Sequence, residues 1–360
     1  MSKPTLLLLS MGELATHLLE ALARTDIFNT LVVASRDLQK AQKRVNNAVL
    51  GAGIEGYFPH IIAEKLDIHR DEFSTKLRQI NPDYIFSAPS LLPWWNVDSG
   101  EVEVPFAGYT ALHLALMHKF RNRIAEAAID TFWIGASYPD VINAVLNRTG
   151  FGPDCGIGNV QEPIAKIQMG VGRELACNPN DIHVKLVAQH AFEYYVLNDH
   201  RVDHLPPYLL TATFKDQDVT QIAEAVLREP FPFPYDLHFN RVTASSGISA
   251  LKALTTLGET NLHLPGIGDL VGGYPVRAST AGIAIDLPSA WSLDRATKVN
   301  EASLKWDGIE EIDRNGTISF TEDTKIALNR LLGKHCDTLS INTAEDQAND
   351  LLQALNRVKF

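Results

Sequence analysis

Apolar and polar positions along the first third of the chain alternate between two periods. Short, almost continuously apolar runs at 6–9, 31–34, 84–87 and 132–135 read as strands buried on both faces. The stretches between them are amphipathic, and Leu14, Leu18, Leu19 and Leu22 fall on one face of a helix over 13–24. A third short strand ends near Asp67, and Asn81-Pro82 stops the helix before the strand at 84. Strands alternating with helices over 3–134 predict a parallel sheet covered on both faces.

After Asn147-Arg-Thr-Gly150 the pattern changes. Longer strand-like runs at 182–186 and 193–197 are followed by proline-rich joins at Pro206-Pro207 and over 230–234. A helix over 243–257, a hairpin over 307–320 around Asn315-Gly316 and an amphipathic helix over 343–358 complete the reading. The expected fold class is α/β: a Rossmann-type doubly wound parallel sheet in a nucleotide-binding domain over 1–150, then an α+β catalytic domain over 151–360.

Composition narrows the partners. The 360 residues are 45% hydrophobic, enough for two packed domains, and contain no repeat or low-complexity tract. A formal net charge of -11 without a Lys/Arg-rich run argues against nucleic acid and for a small-molecule substrate. The apolar run 6–9 is far shorter than the roughly 20 residues that span a bilayer, so no membrane association and a cytoplasmic location are expected. Cys155, Cys177 and Cys336 are too few and too scattered for a disulfide framework. Neither they nor His113, His118, His200 and His204 have the partners of a metal centre, and no metal is expected.

The turn after the first strand, Ser10-Met11-Gly12-Glu13-Leu14-Ala15, places Ser10, Gly12 and Ala15 on the three small-residue positions of a dinucleotide fingerprint. Gly12 would let a pyrophosphate approach the free amides of a helix N-terminus, and Ala15 would keep the helix close to the sheet. The second strand ends in Ser35-Arg36, where an acidic residue would hold the ribose hydroxyls of NAD. A hydroxyl and a guanidinium suit a ribose 2'-phosphate instead, so NADP is the expected cofactor, with NAD left open by Asp37. Ala88 and Pro89, after the fourth strand, complete the expected cofactor contacts on this side.

Three later segments resemble, in order and spacing, the lactate and malate dehydrogenases. Phe132-Trp-Ile-Gly-Ala-Ser137-Tyr-Pro-Asp140-Val is similar to their strand and Asn-Pro-Val-Asp turn. Gly156-Ile-Gly158-Asn159-Val-Gln-Glu162-Pro resembles their next block, and Val187-Ala-Gln-His190-Ala the segment of their catalytic histidine. Tyr274-Pro-Val to Gly282-Ile283 is similar to their late strand pair. The resemblance implies that His190 is the proton donor and acceptor, that Glu162 stands where an acid orients the imidazole, and that Ser137 lies near the nicotinamide ribose. An imidazole suits the task because it titrates near neutrality and can protonate an alkoxide. Asn159 joins His190 and Glu162 as a candidate catalytic residue, and Thr243, Ser245 and Ser246 resemble the polar residues of the helix that faces the substrate.

The departures redirect the expectation. The family's substrate-binding arginine falls on Ala165, with Lys166 beside it as candidate substrate contact, so no bidentate clamp awaits a carboxylate there. Glu162 is open to a second reading as a helix N-terminal carboxylate, and Ser245 and Ser246 to one as helix caps. The resulting expectation is an NAD(P)-dependent dehydrogenase or reductase acting on a carbonyl or alcohol of a small polar metabolite, as a homodimer. Two alternatives stand beside it. One is a lyase similar to the NAD-dependent family 4 glycosidases of the same superfamily, although Gly158 replaces their metal-binding cysteine. The other is a dinucleotide-binding protein without catalysis.

Overall fold

The computed structural model describes residues 3–97 and 100–358. Strands β1 (Thr5–Leu9), β2 (Thr30–Ser35), β3 (Ile61–Lys65), β4 (Tyr84–Ser87) and β5 (Phe132–Gly135) form one parallel sheet in the order β3-β2-β1-β4-β5. Its connections carry helices α1 (Glu13–Leu22), α2 (Leu38–Ile54), α3 (Glu72–Ile80) and α4 (Ala111–Ala127), and α5 (Pro139–Arg148) follows β5. Successive side chains of a strand point to opposite faces. Leu6, Leu8, Leu31 and Val33 therefore enter the core shared with α1 and α2, while Leu7, Leu9, Val32 and Ala34 enter the core on the other side. Both faces are covered, which is why these strands read as unbroken apolar runs.

Pairing of Leu9 with Ala34 and Ser87, and of Ser87 with Gly135, brings the C-terminal ends of β2, β1, β4 and β5 level. Chain order reverses beside β1, and the crevice at that edge is where open α/β sheets receive ligands.

The second half holds α6 (Gln161–Leu175), β6 (Ile182–Val187), α7 (His190–Val196), β7 (Leu209–Phe214), β8 (Gln217–Asp218), α8 (Thr220–Leu227) and α9 (Asn240–Leu254). It continues with β9 (Thr260–Pro265), β10 (Gly273–Ser279), β11 (Gly282–Ile285) and α10 (Leu293–Ser303). The order β6-β7-β8 makes one antiparallel sheet and β11-β10-β9 another, joined by an Ala188–Gly273 bridge. Helices α6 and α8 approach closely at Gly170, where an added Cβ would lie 2.2 Å from Val226.

The expected strand over 193–197 is instead most of α7. Gln189 caps this helix by accepting from the Ala191 amide at 2.9 Å, and Phe192 and Val196, four apart, bury one helical face. Aromatic and β-branched content suggests a strand locally; the cap and the core favour the helix.

The chain then returns to its first half. β12 (Ile309–Ile312), β13 (Ile318–Phe320), α11 (Glu322–Leu332), β14 (Thr338–Leu339) and α12 (Ala344–Val358) pack there, with α12 against α4. Ile309, Phe320, Leu328 and Leu351 share one core with Phe73, Phe120 and Trp133 of the first half. Residue 150 thus marks the end of the alternating strand-helix pattern, while the cores divide differently. Among the described residues no helix is long and apolar enough to cross a membrane.

Candidate functional site

A cavity of about 500 Å³ is lined by residues that follow the C-terminal ends of all five parallel strands and by residues of α6, α7 and α9. Ser10, Met11, Gly12, Glu13 and Leu14 contribute from the β1 turn, Ser35 and Arg36 from β2, Ala88 and Pro89 from β4, and Ser137 from β5. Asn159, Glu162, His190 and Thr243 come from the second half.

At the β1 end Ser10 adopts φ +70°, the left-handed region, and its carbonyl accepts from the Gly12 amide at 2.9 Å. Gly12 precedes α1 without any side-chain cap, and a Cβ placed on it would meet nothing within 4 Å. Open space thus lies in front of unsatisfied helix amides, the arrangement that receives phosphate groups. Beside it, Asp37 caps α2 by accepting from the Lys40 amide at 3.0 Å. Arg36 and Lys40 are exposed at the rim, and among the described residues neither side chain has an ion pair or hydrogen bond. Ser137 donates to the Pro89 carbonyl at 2.7 Å and fixes the turns after β4 and β5 to each other.

The far end is organised around His190 and Asp307. His190 Nδ1 lies 3.0 Å from Asp307 Oδ2, and the same oxygen accepts from Tyr138 Oη and Gln189 Nε2, each at 2.7 Å. Phe106 stacks on the imidazole with ring centroids 4.7 Å apart, and Tyr138 meets it edge-on at 5.0 Å. Burial pushes the imidazole down, but the Asp307 charge and hydrogen bond outweigh it and raise His190 to about 9. Burial raises Asp307, and the imidazolium with three donors overcomes this, holding the carboxyl below its ordinary value. With Nδ1 committed to Asp307, Nε2 is the nitrogen left to exchange a proton with a bound molecule.

Around this pair the cavity wall is acidic. Asp140 is fully buried, accepts from Asn159 Nδ2 at 2.7 Å, and burial lifts it to about 7 against the lowering effects of His190 and Asn159. Glu162 accepts from Thr243 Oγ1 at 2.8 Å. Glu193 faces Glu162 and is raised well above the carboxylate range by burial and then by the Glu162 charge. His113, a further wall residue, is lowered to about 4, chiefly by burial.

Four expected roles need correction. Glu162 does not hold His190: the imidazole's carboxylate is Asp307, and Glu162 bonds Thr243. Lys166 points away from the cavity, and its ammonium donates to the carbonyls of Val196, Leu227 and Glu229 at 2.7–2.8 Å. Ser245 is exposed in the middle of α9 and donates to the Arg241 carbonyl. Ser246 accepts from the Gly158 amide and donates to the Thr243 carbonyl, so it anchors the 158 loop and does not line the cavity. Neither serine is a helix cap, because both lie inside α9. Asn159 reaches the cavity, but its amide is bound to Asp140 and the Ala188 carbonyl, which makes it a positioning group.

Asp307, Glu193 and Lys40 escaped the sequence reading. Asp307 lies 117 residues from His190, with no local spacing to connect them. Glu193 was hidden by the strand assignment: in a helix, three residues place it on the His190 side. Lys40 had a usable signal, since a basic residue one turn into the helix after Arg36 falls near the same strand end.

A scan against protein-family models finds no match, and a search of the curated proteins finds no similar sequence. Solved structures are similar over most of the chain. MGS-M5, a lactate dehydrogenase from a Medee basin deep-sea metagenome library, has a TM-score of 0.61 at 11% identity, covering 85% of this chain and 97% of that one. Malate dehydrogenase from Cryptosporidium parvum gives 0.58 at 13% identity, over 85% and 96%. Malate dehydrogenase from Plasmodium falciparum, solved in complex with NADH, gives 0.55 at 10% identity, over 91% and 99%. The likeness is one of architecture, and it agrees with the resemblance of the three sequence segments: the chain has the fold of the lactate and malate dehydrogenases.

Proposed function

We propose that the protein is an NADP(H)-dependent oxidoreductase acting on the carbonyl or alcohol carbon of a small polar metabolite, with His190 as acid and base. The observation that carries this reading is one cavity with unpaired Arg36 and Lys40 at one end and the His190–Asp307 pair at the other. One of the structural neighbours, a malate dehydrogenase solved in complex with NADH, supports a nicotinamide dinucleotide in this crevice.

The residues present fit that cofactor. The amides at the start of α1 receive the pyrophosphate across Gly12, where a side chain would fill the space. Arg36 and Lys40 bind the ribose 2'-phosphate, and Asp37, occupied in capping α2, is poorly placed to hold ribose hydroxyls. Ala88, Pro89 and Ser137 form the wall beside the nicotinamide. When bound, the dinucleotide supplies or accepts a hydride at its nicotinamide ring. His190 holds the matching proton at Nε2 and delivers it to, or takes it from, the substrate oxygen. Asp307 fixes the tautomer and stabilises the imidazolium. Thr243 and Glu162 contact the substrate; Lys166, Ser245 and Ser246 have no part in it. A cytoplasmic homodimer is the proposed setting. A non-catalytic nucleotide binder gives no reason for a buried carboxylate that gathers three donors, one of them an imidazole.

Titration with NADPH and NADH, followed by nicotinamide fluorescence, tests the reading. The expected result is tighter NADPH binding that weakens about 10- to 100-fold in Arg36→Ala, as for loss of a hydrogen bond between charged groups, with NADH unchanged. No binding of either nucleotide overturns it.

A further inference from the structure

Glu162 and Glu193 are 7% and 6% exposed, and both line the cavity. Glu162 Oε2 is buried, and no hydroxyl, amide or cationic group among the described residues donates to it. Its neighbour is the Glu193 carboxyl, which burial and then the Glu162 charge raise well above the carboxylate range, so a cation seated between the two would favour the ionised form of Glu193. Asp140, with its own buried and unpartnered Oδ2, adds a third acid on the same wall. The lysine and arginine of the lining are Arg36 and Lys40, after β2. That strand lies on the opposite side of β1 from β4 and β5, so neither cation serves this end.

The remaining walls suit an organic cation. Phe239 and Asn240 line the cavity at the start of α9, one turn before Thr243, which holds Glu162 Oε1. Tyr235 stacks on Phe239 with centroids 5.7 Å apart and donates to the Glu193 carbonyl, fixing the aromatic face beside the carboxyls. An ammonium between carboxylates and an aromatic face gains charge-assisted hydrogen bonds and a cation–π contact. Among the described residues no group of three or more His, Cys, Asp or Glu is arranged to hold a metal ion.

We propose that the substrate carries a protonated amine, seated between Glu162 and Glu193 against Phe239, a few bonds from the carbon that reacts beside His190. The proposal rests on the oxidoreductase reading above. His190 and Glu193 are three residues apart on α7, about 5–6 Å between Cβ atoms, so a short amino alcohol or the matching amino ketone spans the two. In the oxidising direction the carbinol C–H bond breaks as hydride passes to the oxidised nicotinamide. The hydroxyl proton passes to His190, a C=O bond forms, and the amine is unchanged. A substrate carboxylate would meet three acids at this end, where the His190 imidazolium is already paired with Asp307.

The test uses the full chain with NADP+ and three amines: 1-amino-2-propanol, 4-amino-2-butanol and glucosamine. Each is set against its N-acetyl derivative and against lactate and malate. Nicotinamide absorbance gives turnover, and thermal shift in the presence of NADP+ gives binding. The expected result is turnover or a thermal shift with at least one amine, reduced about 100-fold or more in kcat/KM, or abolished in shift, by N-acetylation. Glu162→Gln, which keeps the side-chain shape, is expected to raise KM for the amine far more than it lowers kcat. Preference for an N-acetyl compound or a hydroxy acid overturns the amine and leaves the oxidoreductase standing. A shift with Mg2+ or Mn2+ alone while the amines are inert, or no response to any amine with NADPH still bound, also overturns it. Failure to bind either nucleotide overturns both readings.

Discussion

His190 and Asp307 tie pH to both activity and stability. Reduction of a carbonyl needs the imidazolium, so kcat/KM in that direction is expected to fall as pH rises through about 9. Asp307→Asn is expected to move that descent toward the ordinary histidine value near 6.5, measured as a pH–rate profile. His190→Ala is expected to lose about 10²- to 10⁴-fold in rate with NADPH affinity retained. The folded value is raised above the unfolded one, so this pair's stabilisation is complete below pH ~6.5 and disappears as pH rises through about 9. Over that window stability is expected to fall by at most about 1.4 kcal/mol per pH unit for one proton, read as a falling Tm, and Asp307→Asn is expected to flatten the dependence. Lys166 illustrates what a sequence hides at this scale. Its position beside Glu162 suggests a substrate contact, but its three acceptors come from residues 196, 227 and 229. Lys166→Met leaves those carbonyls without a donor and is expected to cost about 2–4 kcal/mol by denaturant unfolding, with nucleotide affinity unchanged.

Elements were legible where one period dominated. Strands β1, β2, β4 and β5 stood out because both faces are buried, whereas the edge strand β3, with no buried residue, left a fainter trace; the hairpin around Asn315-Gly316 stood out because that pair demands a tight turn. The segment 193–197 misled because Glu-Tyr-Tyr-Val-Leu satisfies strand propensity while its burial follows a helix. That one assignment removed Glu193 from the site, since a strand would have sent it to another face than a helix does. The turn around Gly12 was readable from local sequence, because a strand, a glycine and a helix are contiguous. Packing between elements left a weaker trace. Gly170 admits α8 against α6, and Gly170→Ala, meeting Val226 at 2.2 Å, is expected to destabilise by about 1–3 kcal/mol without altering NADPH binding.

Across the whole molecule, the sequence indicated two parts in series, whereas the last elements fold back onto the first. Nothing local marks this return: β12 to α12 carry ordinary patterns whose partners, such as Phe73, Phe120 and Trp133, lie far upstream. Leu351 is fully buried at that junction, and Leu351→Ala is expected to cost about 2–5 kcal/mol and lower Tm cooperatively. Asp307 stands at the entrance to this returning segment, just before β12. During synthesis on the ribosome the Gly12 turn and His190 emerge first, and the carboxylate follows 117 residues later. A nascent chain at that stage carries the Gly12 turn and the imidazole but not the carboxylate that holds Nδ1. The His190–Asp307 pair is therefore completed late, by the segment that also joins the first core, so an unfinished chain lacks one half of the pair on which the pH predictions rest.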